Sequence, residues 1–158
     1  YSLQHYKNIV NNSLLRNNTS MNNSIELFFK TAFDSKINFE NTIKHHITDS
    51  KTESGFQFSN QTINNNFQII IKPTKRLFFL FSTDYFLPDI KKKKESYLFF
   101  DSDINYQTKN KVYNFHFKAR NITNNKTLNQ FDTNDFSTTN SQTNLLPIQL
   151  IFSISRNF

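Results

Sequence analysis

The chain has 158 residues and a formal net charge of +7, with 19 Phe and 6 Tyr but one Gly and no Trp or Cys. The absence of cysteine excludes disulfide frameworks, thiolate metal sites and cysteine nucleophiles, and no run of about 18 apolar residues could form a transmembrane helix. An aromatic content of 16% at a mean hydropathy of −0.62 means that the apolar residues are large and interspersed with polar ones, a pattern of two-faced strands rather than Ala- and Leu-rich helices.

Period-two alternation divides the chain into segments of similar length. Residues 1–10 form a weak first candidate. In residues 24–33, Ile25, Leu27, Phe29 and Phe33 share one face, with Glu26, Lys30 and Ala32 on the other. Residues 36–48 set Ile37, Phe39, Ile43 and Ile47 against Asn38, Glu40, Thr42, Lys44 and His46. Residues 66–73 place Phe67, Ile69 and Ile71 opposite Gln68 and Lys72.

In residues 76–86, Leu77, Phe79, Phe81 and Tyr85 share a face, and Phe78, Leu80 and Phe86 make the second face apolar as well. Residues 97–107 oppose Leu98, Phe100, Ile104 and Tyr106 to Asp101, Asp103, Asn105 and Gln107. Residues 111–121 oppose Tyr113, Phe115, Phe117 and Ala119 to Asn114, His116, Lys118 and Arg120. The last strand, residues 148–158, alternates Ile148, Leu150, Phe152 and Ile154 with Gln149, Ile151, Ser153 and Ser155, and ends on Phe158. That predicts seven strands, or eight with the first candidate.

The connections alternate in length. Residues 34–36, 73–75 and 108–110 are tight, residues 49–55 looser, residues 87–96 long and residues 123–144 very long. An antiparallel meander with tight turns at one end and open loops at the other is the expected arrangement. A soluble β-sandwich does not require its loops to sort in this way. A transmembrane barrel does, with short periplasmic turns and long extracellular loops. The expected fold is therefore all-β: an antiparallel meander forming part of a transmembrane β-barrel, about seven or eight strands of it within this chain. The apolar face would meet lipid and the polar face the lumen. Arg156 and His45 fall on the lipid face, both near strand ends where the cost is small.

At "RNITNNKT" (residues 120–127) and the terminal "NLLPIQLIFSISRNF" the sequence resembles the C-terminal end of TonB-dependent outer-membrane receptors, of the type with carboxypeptidase-regulatory-like N-terminal extensions. Their aromatic F-D-x-x-I-x-Y strand reads here "FFDSDINY" (residues 99–106), and their N-L-x-N-x-K turn reads "NITNNK" (residues 121–126). Their L-P-R-x-x-x-x-S-x-x-x-x-F ending reads "LPIQLIFSISRNF", with Ile148 in place of the usual basic residue. "KPTKRLFFLFSTDYF" is similar to their penultimate hairpins. The likeness covers about the last 90 residues, its weight lying in the order and spacing of the motifs.

The resemblance implies the C-terminal segment of an outer-membrane receptor of a Gram-negative bacterium, across residues 1–158, active in nutrient uptake. A complete barrel of this kind has about 22 strands with a plug in its lumen. Neither a plug nor a TonB-contacting segment is visible here, and Tyr1 in place of Met reads as a processed chain or a piece of a longer one. The implied partners are the lipid bilayer and lipopolysaccharide, the remainder of the barrel and its plug, TonB through a part outside this chain, and a surface lipoprotein. Phe158, with Ile154 and Phe152, would be the signal read by the barrel-assembly machinery.

Three alternatives stay open: a small independent outer-membrane barrel with a structural or adhesive role, a soluble β-rich binding protein, and an organelle-encoded subunit from an AT-rich genome.

The positive charge raises nucleic-acid binding, but the basic residues do not gather on one element, and no nucleic-acid partner is expected. Residues 90–94 ("IKKKK") read as a solvated loop tip. His45 and His46 are adjacent on a strand, point to opposite faces and cannot chelate one ion. Asp101 and Asp103 share a face with no third ligand. They join Asn114, His116, Lys118 and Arg120 in a lumen-facing polar ladder. No catalytic, cofactor or metal site is expected: no Ser/His/Asp order, Gly-rich loop or zinc spacing is present.

Overall fold

A computed structural model of the chain describes residues 1–10, 14–31, 35–53, 55, 57–90, 95–133 and 138–157. In chain order, the strands of the N-terminal half are β1 (Ser2–Val10), β2 (Leu14–Lys30), β3 (Ile37–Thr52), β4 (Gln57–Thr74) and β5 (Leu77–Leu87). They continue as β6 (Tyr97–Gln107), β7 (Tyr113–Arg120), β8 (Thr127–Thr133), β9 (Thr138–Asn144) and β10 (Gln149–Arg156). Eight of them form one sheet in the order β1-β2-β3-β4-β5-β6-β7-β10, and β8 and β9 make a separate hairpin. Every neighbouring pair is antiparallel. The sheet is open, with β1 and β10 as its edges, and does not close into a barrel. Among the described residues no helix is long and apolar enough to cross a membrane, which has no bearing on crossing by strands.

The expected meander is present, with corrections to its count and boundaries. Among the described residues there are ten strands rather than seven or eight, because residues 123–144 are not an open loop but carry β8 and β9, paired with each other. The weak first candidate is β1. It pairs with an upper half of β2, Leu14–Asn22, that shows no apolar alternation. The connection expected at residues 49–55 is mostly strand: β3 and β4 pair as far out as Lys51 and Gln57. In these stretches Asn, Ser and Thr dominate, and backbone ladder bonds hold the strands where an apolar stripe does not.

The register aligns the apolar positions across the sheet. Ile37 lies opposite Ile71, and Ile71 opposite Phe79; Phe79 lies opposite Ile104, which faces Phe117, which faces Phe152. A second row runs through Leu27, Ile43 and Asn65 to Tyr85 and Leu98. Aromatic pairs bridge strands on this face: Phe39 to Phe67, Phe81 to Phe100, Tyr106 to Phe115 and Phe115 to Phe152, with ring centroids 6.3 to 6.5 Å apart. Such contacts each add roughly 0.5–1.5 kcal/mol beyond area burial.

The apolar face is widely exposed, with Ile25 at 59%, Leu150 at 66% and Phe152 at 62%. The buried apolar side chains among the described residues are Leu87, Tyr97 and Ala119, all towards the open-loop ends of their strands. The base of the β8–β9 hairpin folds over that end, where the Asn129 N–H donates to the Tyr97 hydroxyl at 2.9 Å.

Connections β2–β3, β4–β5 and β6–β7 lie at one end of the sheet. The β4–β5 turn is only two residues, Lys75 and Arg76. Pro73 cannot donate to the ladder, and the β4–β5 register slips between Ile71 and Thr74. At the other end, β3 and β4 project beyond β5, whose pairing with β4 stops at Ile63 and Leu87. Gly55, at φ 86°, turns the tip of that hairpin.

Candidate functional site

The polar face is most densely organised on β6 and β7. Alternation along β6 places Asp101, Asp103, Asn105 and Gln107 on one face, and alternation along β7 places Asn114, His116, Lys118 and Arg120 there too. The register sets Asp103 opposite Lys118, Asn105 opposite His116 and Gln107 opposite Asn114. The six residues expected to form a ladder therefore stand on one face of two adjacent strands.

Arg120 bridges both carboxylates, Nη2 to Asp103 at 3.0 Å and Nη1 to Asp101 at 3.4 Å. His116 Nε2 lies 3.1 Å from the other Asp103 oxygen. Asp101 also accepts the Asn121 backbone N–H at 2.7 Å. Asp103 is buried, at 8% exposure, so its charge depends on these partners. Both carboxylates are committed to cations and amide donors, an arrangement suited to stiffening a polar wall rather than to proton transfer. Among the described residues no group of three or more His, Cys, Asp or Glu side chains comes together as a metal site.

Further along the same face, Glu26 meets Lys44 at 3.2 Å and Glu40 meets Lys30 at 2.8 Å, each across a strand pair. Asn66 donates to Asp84 across β4 and β5. The exposed pairs are worth about 0–1 kcal/mol each, so their effect is register rather than stability. The histidines separate as strand geometry requires: His46 lies 3.0 Å from Thr48 Oγ1 on the polar face, while His45 sits between Ile25 and Ile63 on the apolar one, in the middle of β3 rather than near a strand end as expected.

Ile154 and Phe152 lie on the apolar face of the edge strand β10, 59% and 62% exposed. Phe158 lies outside the described residues, as do the lysines at 91–94.

The sequence reading missed the asparagines that hold the base of the β8–β9 hairpin. Asn121 (φ 50°) and Asn124 (φ 55°) occupy the left-handed region, which asparagine tolerates better than most residues. The Asn121 side chain donates to the carbonyls of Asn125 and Leu146, both at 2.8 Å, and accepts the Asn125 N–H at 3.0 Å. The Asn125 side chain donates to the Leu98 carbonyl on β6 at 2.6 Å. The signal was the "NITNNK" run itself, whose asparagines are turn formers for this reason. In comparisons with protein-family models, curated protein sequences and solved structures the chain finds no match.

Proposed function

We propose that the chain supplies barrel-wall strands and extracellular loops of a TonB-dependent outer-membrane receptor that takes up a scarce nutrient. The observation that carries this proposal is the two-faced sheet. One face is apolar from β2 to β10, exposed on β2, β3, β6 and β10 and half-buried on β4 and β5, and the other is laced with ion pairs. Monomeric soluble proteins rarely leave contiguous apolar patches beyond a few hundred Å² in water, whereas a barrel wall places such a face in lipid. Strands β5 and β6 have eleven residues each, and roughly 9–11 suffice to cross a bilayer at a tilt.

On this proposal the apolar face meets the bilayer, with lipopolysaccharide at its outer rim. The ladder of Asp101, Asp103, Asn114, His116, Lys118 and Arg120 faces the lumen and the plug. The β8–β9 hairpin and the projecting β3–β4 hairpin stand at the extracellular mouth, where a surface lipoprotein would dock. Contact with TonB belongs to a part of the receptor outside these residues. The order and spacing of the C-terminal motifs support the same assignment.

The test is gel mobility of the full-length gene product in detergent, with and without boiling. A heat-dependent shift is expected, and no shift together with solubility in plain buffer sinks the proposal.

A second reading, a small independent barrel, is favoured by one observation: the main sheet has eight strands, a number that closes the smallest membrane barrels. Because the chain has no cysteine, introduced pairs report closure cleanly. Single cysteines scanned along β1 against Ser153→Cys form a disulfide under oxidation if β1 and β10 meet, and none forms at any register in the larger receptor.

A further inference from the structure

The tight-turn end of the polar face contains a cleft of about 870 Å³ whose lining, among the described residues, includes Lys36, Lys72, Lys75 and Arg76 and no carboxylate. Asn105 and Gln107 supply amide groups to its wall, and Phe78 an aromatic face. Backbone bonds fix the arrangement. The Lys72 N–H donates to the Lys36 carbonyl at 2.7 Å, tying the β2–β3 connection to β4. The Gln107 N–H donates to the Arg76 carbonyl at 2.9 Å, tying the β4–β5 turn to β6. Within that turn the Thr74 hydroxyl accepts the N–H groups of Arg76 and Leu77, both at 3.2 Å. Lys72 Nζ stands 5.9 Å from the Phe78 ring centroid.

The rest of this face handles positive charge differently. Lys30, Lys44 and Arg120 each stand against a carboxylate, whereas none of the four cleft cations takes part in an ion pair among the described residues. Four like charges held together by backbone geometry focus a positive potential into the cleft, and an anion relieves their repulsion. The volume falls within the range of small-molecule sites, about 300–1,000 Å³. A guanidinium fork beside flexible ammonium groups matches phosphate oxygens.

We propose that this cleft binds a phosphorylated small anion, with its phosphate groups on Lys36, Lys72, Lys75 and Arg76 and its less polar part against Phe78. The site lies on the polar face and holds whichever medium covers the apolar one. A lipid headgroup and a soluble phosphate compound present the same chemistry.

The test is equilibrium binding to the full-length protein at low ionic strength, with inorganic pyrophosphate and short-chain phosphatidic acid below its micelle concentration as probes. Saturable binding is expected, weakened at least tenfold by Lys72→Gln with Arg76→Gln and unchanged by Lys51→Gln at the far end of β3. Far-ultraviolet circular dichroism checks that the variants fold. Tighter binding of phosphatidic acid identifies a lipid headgroup as the ligand, and tighter binding of pyrophosphate a soluble one. The proposal is overturned if neither probe saturates or if the paired variant binds as well as the parent. It is equally overturned if a short oligoglutamate binds and neither phosphate probe displaces it.

Discussion

Asn65 Nδ2 donates to Asn41 Oδ1 at 2.7 Å across β3 and β4, within the apolar face and between Phe67 and Ile43 in the register. The two amides satisfy part of each other's bonding capacity on a face otherwise made mainly of apolar side chains. Replacing one leaves the other short of a partner, and Asn41→Leu alone should cost about 1–2 kcal/mol. The double variant Asn41→Leu with Asn65→Leu should recover most of that loss. Thermal unfolding of the four proteins in detergent checks this, and an additive outcome refutes the coupling.

Arg120 is the hub of the β6–β7 seam. Arg120→Met leaves Asp101 and Asp103 beside each other without their shared cation and should cost roughly 2–3 kcal/mol. Adding Asp103→Leu removes the buried charge that makes the single variant expensive, so the pair should be more stable than Arg120→Met alone. Urea titration separates the two.

Asn121 and Asn124 share a left-handed backbone but differ in what their side chains do. Asn124→Gly relieves the conformational cost at φ 55° and should be neutral or stabilising by up to about 0.5 kcal/mol. Asn121→Gly also fits the backbone but loses three side-chain bonds, so limited proteolysis should cut residues 121–148 faster. Equal proteolysis of both variants counts against the stapling role of Asn121.

Phe158→Ala tests Phe158 as an assembly signal. Under the proposed function it lowers the amount of inserted barrel several-fold in cells while barely moving the unfolding temperature of the barrel that has inserted. Equal effects on both quantities remove the signal role.

Legibility in the sequence follows the apolar stripe. Residues 97–107 could be bounded in advance because Leu98, Phe100, Ile104 and Tyr106 alternate with Asp and Asn, and β6 spans those residues. The upper half of β2, with Asn17, Asn18, Thr19 and Ser20, has no stripe; it is a strand because β1 and β3 flank it with ladder partners. Residues 123–144 read as loop for the same reason, since β8 and β9 pair Asn129 with Gln142 and Thr127 with Asn144 rather than apolar residues.

The polar ladder was visible as alternation, whereas the convergence of Arg120 and His116 on Asp103 depends on register, which alternation leaves open. The basic cleft was hidden because Lys36 comes from a connection distant in sequence from the strand end and turn that carry Lys72, Lys75 and Arg76. "KPTKR" alone reads as a turn; the backbone bond from Lys72 to Lys36 brings the second basic segment to it.

The direction in which the strands run sets a parity on completion. β1 ascends towards the open-loop end while β10 descends from it, so the two edges are already of opposite sense. They can join directly, or through an even number of further strands, without any parallel pairing. An odd number would force two neighbours to run the same way. Strands that complete the sheet as the proposed barrel, with antiparallel neighbours throughout, must therefore be even in total number.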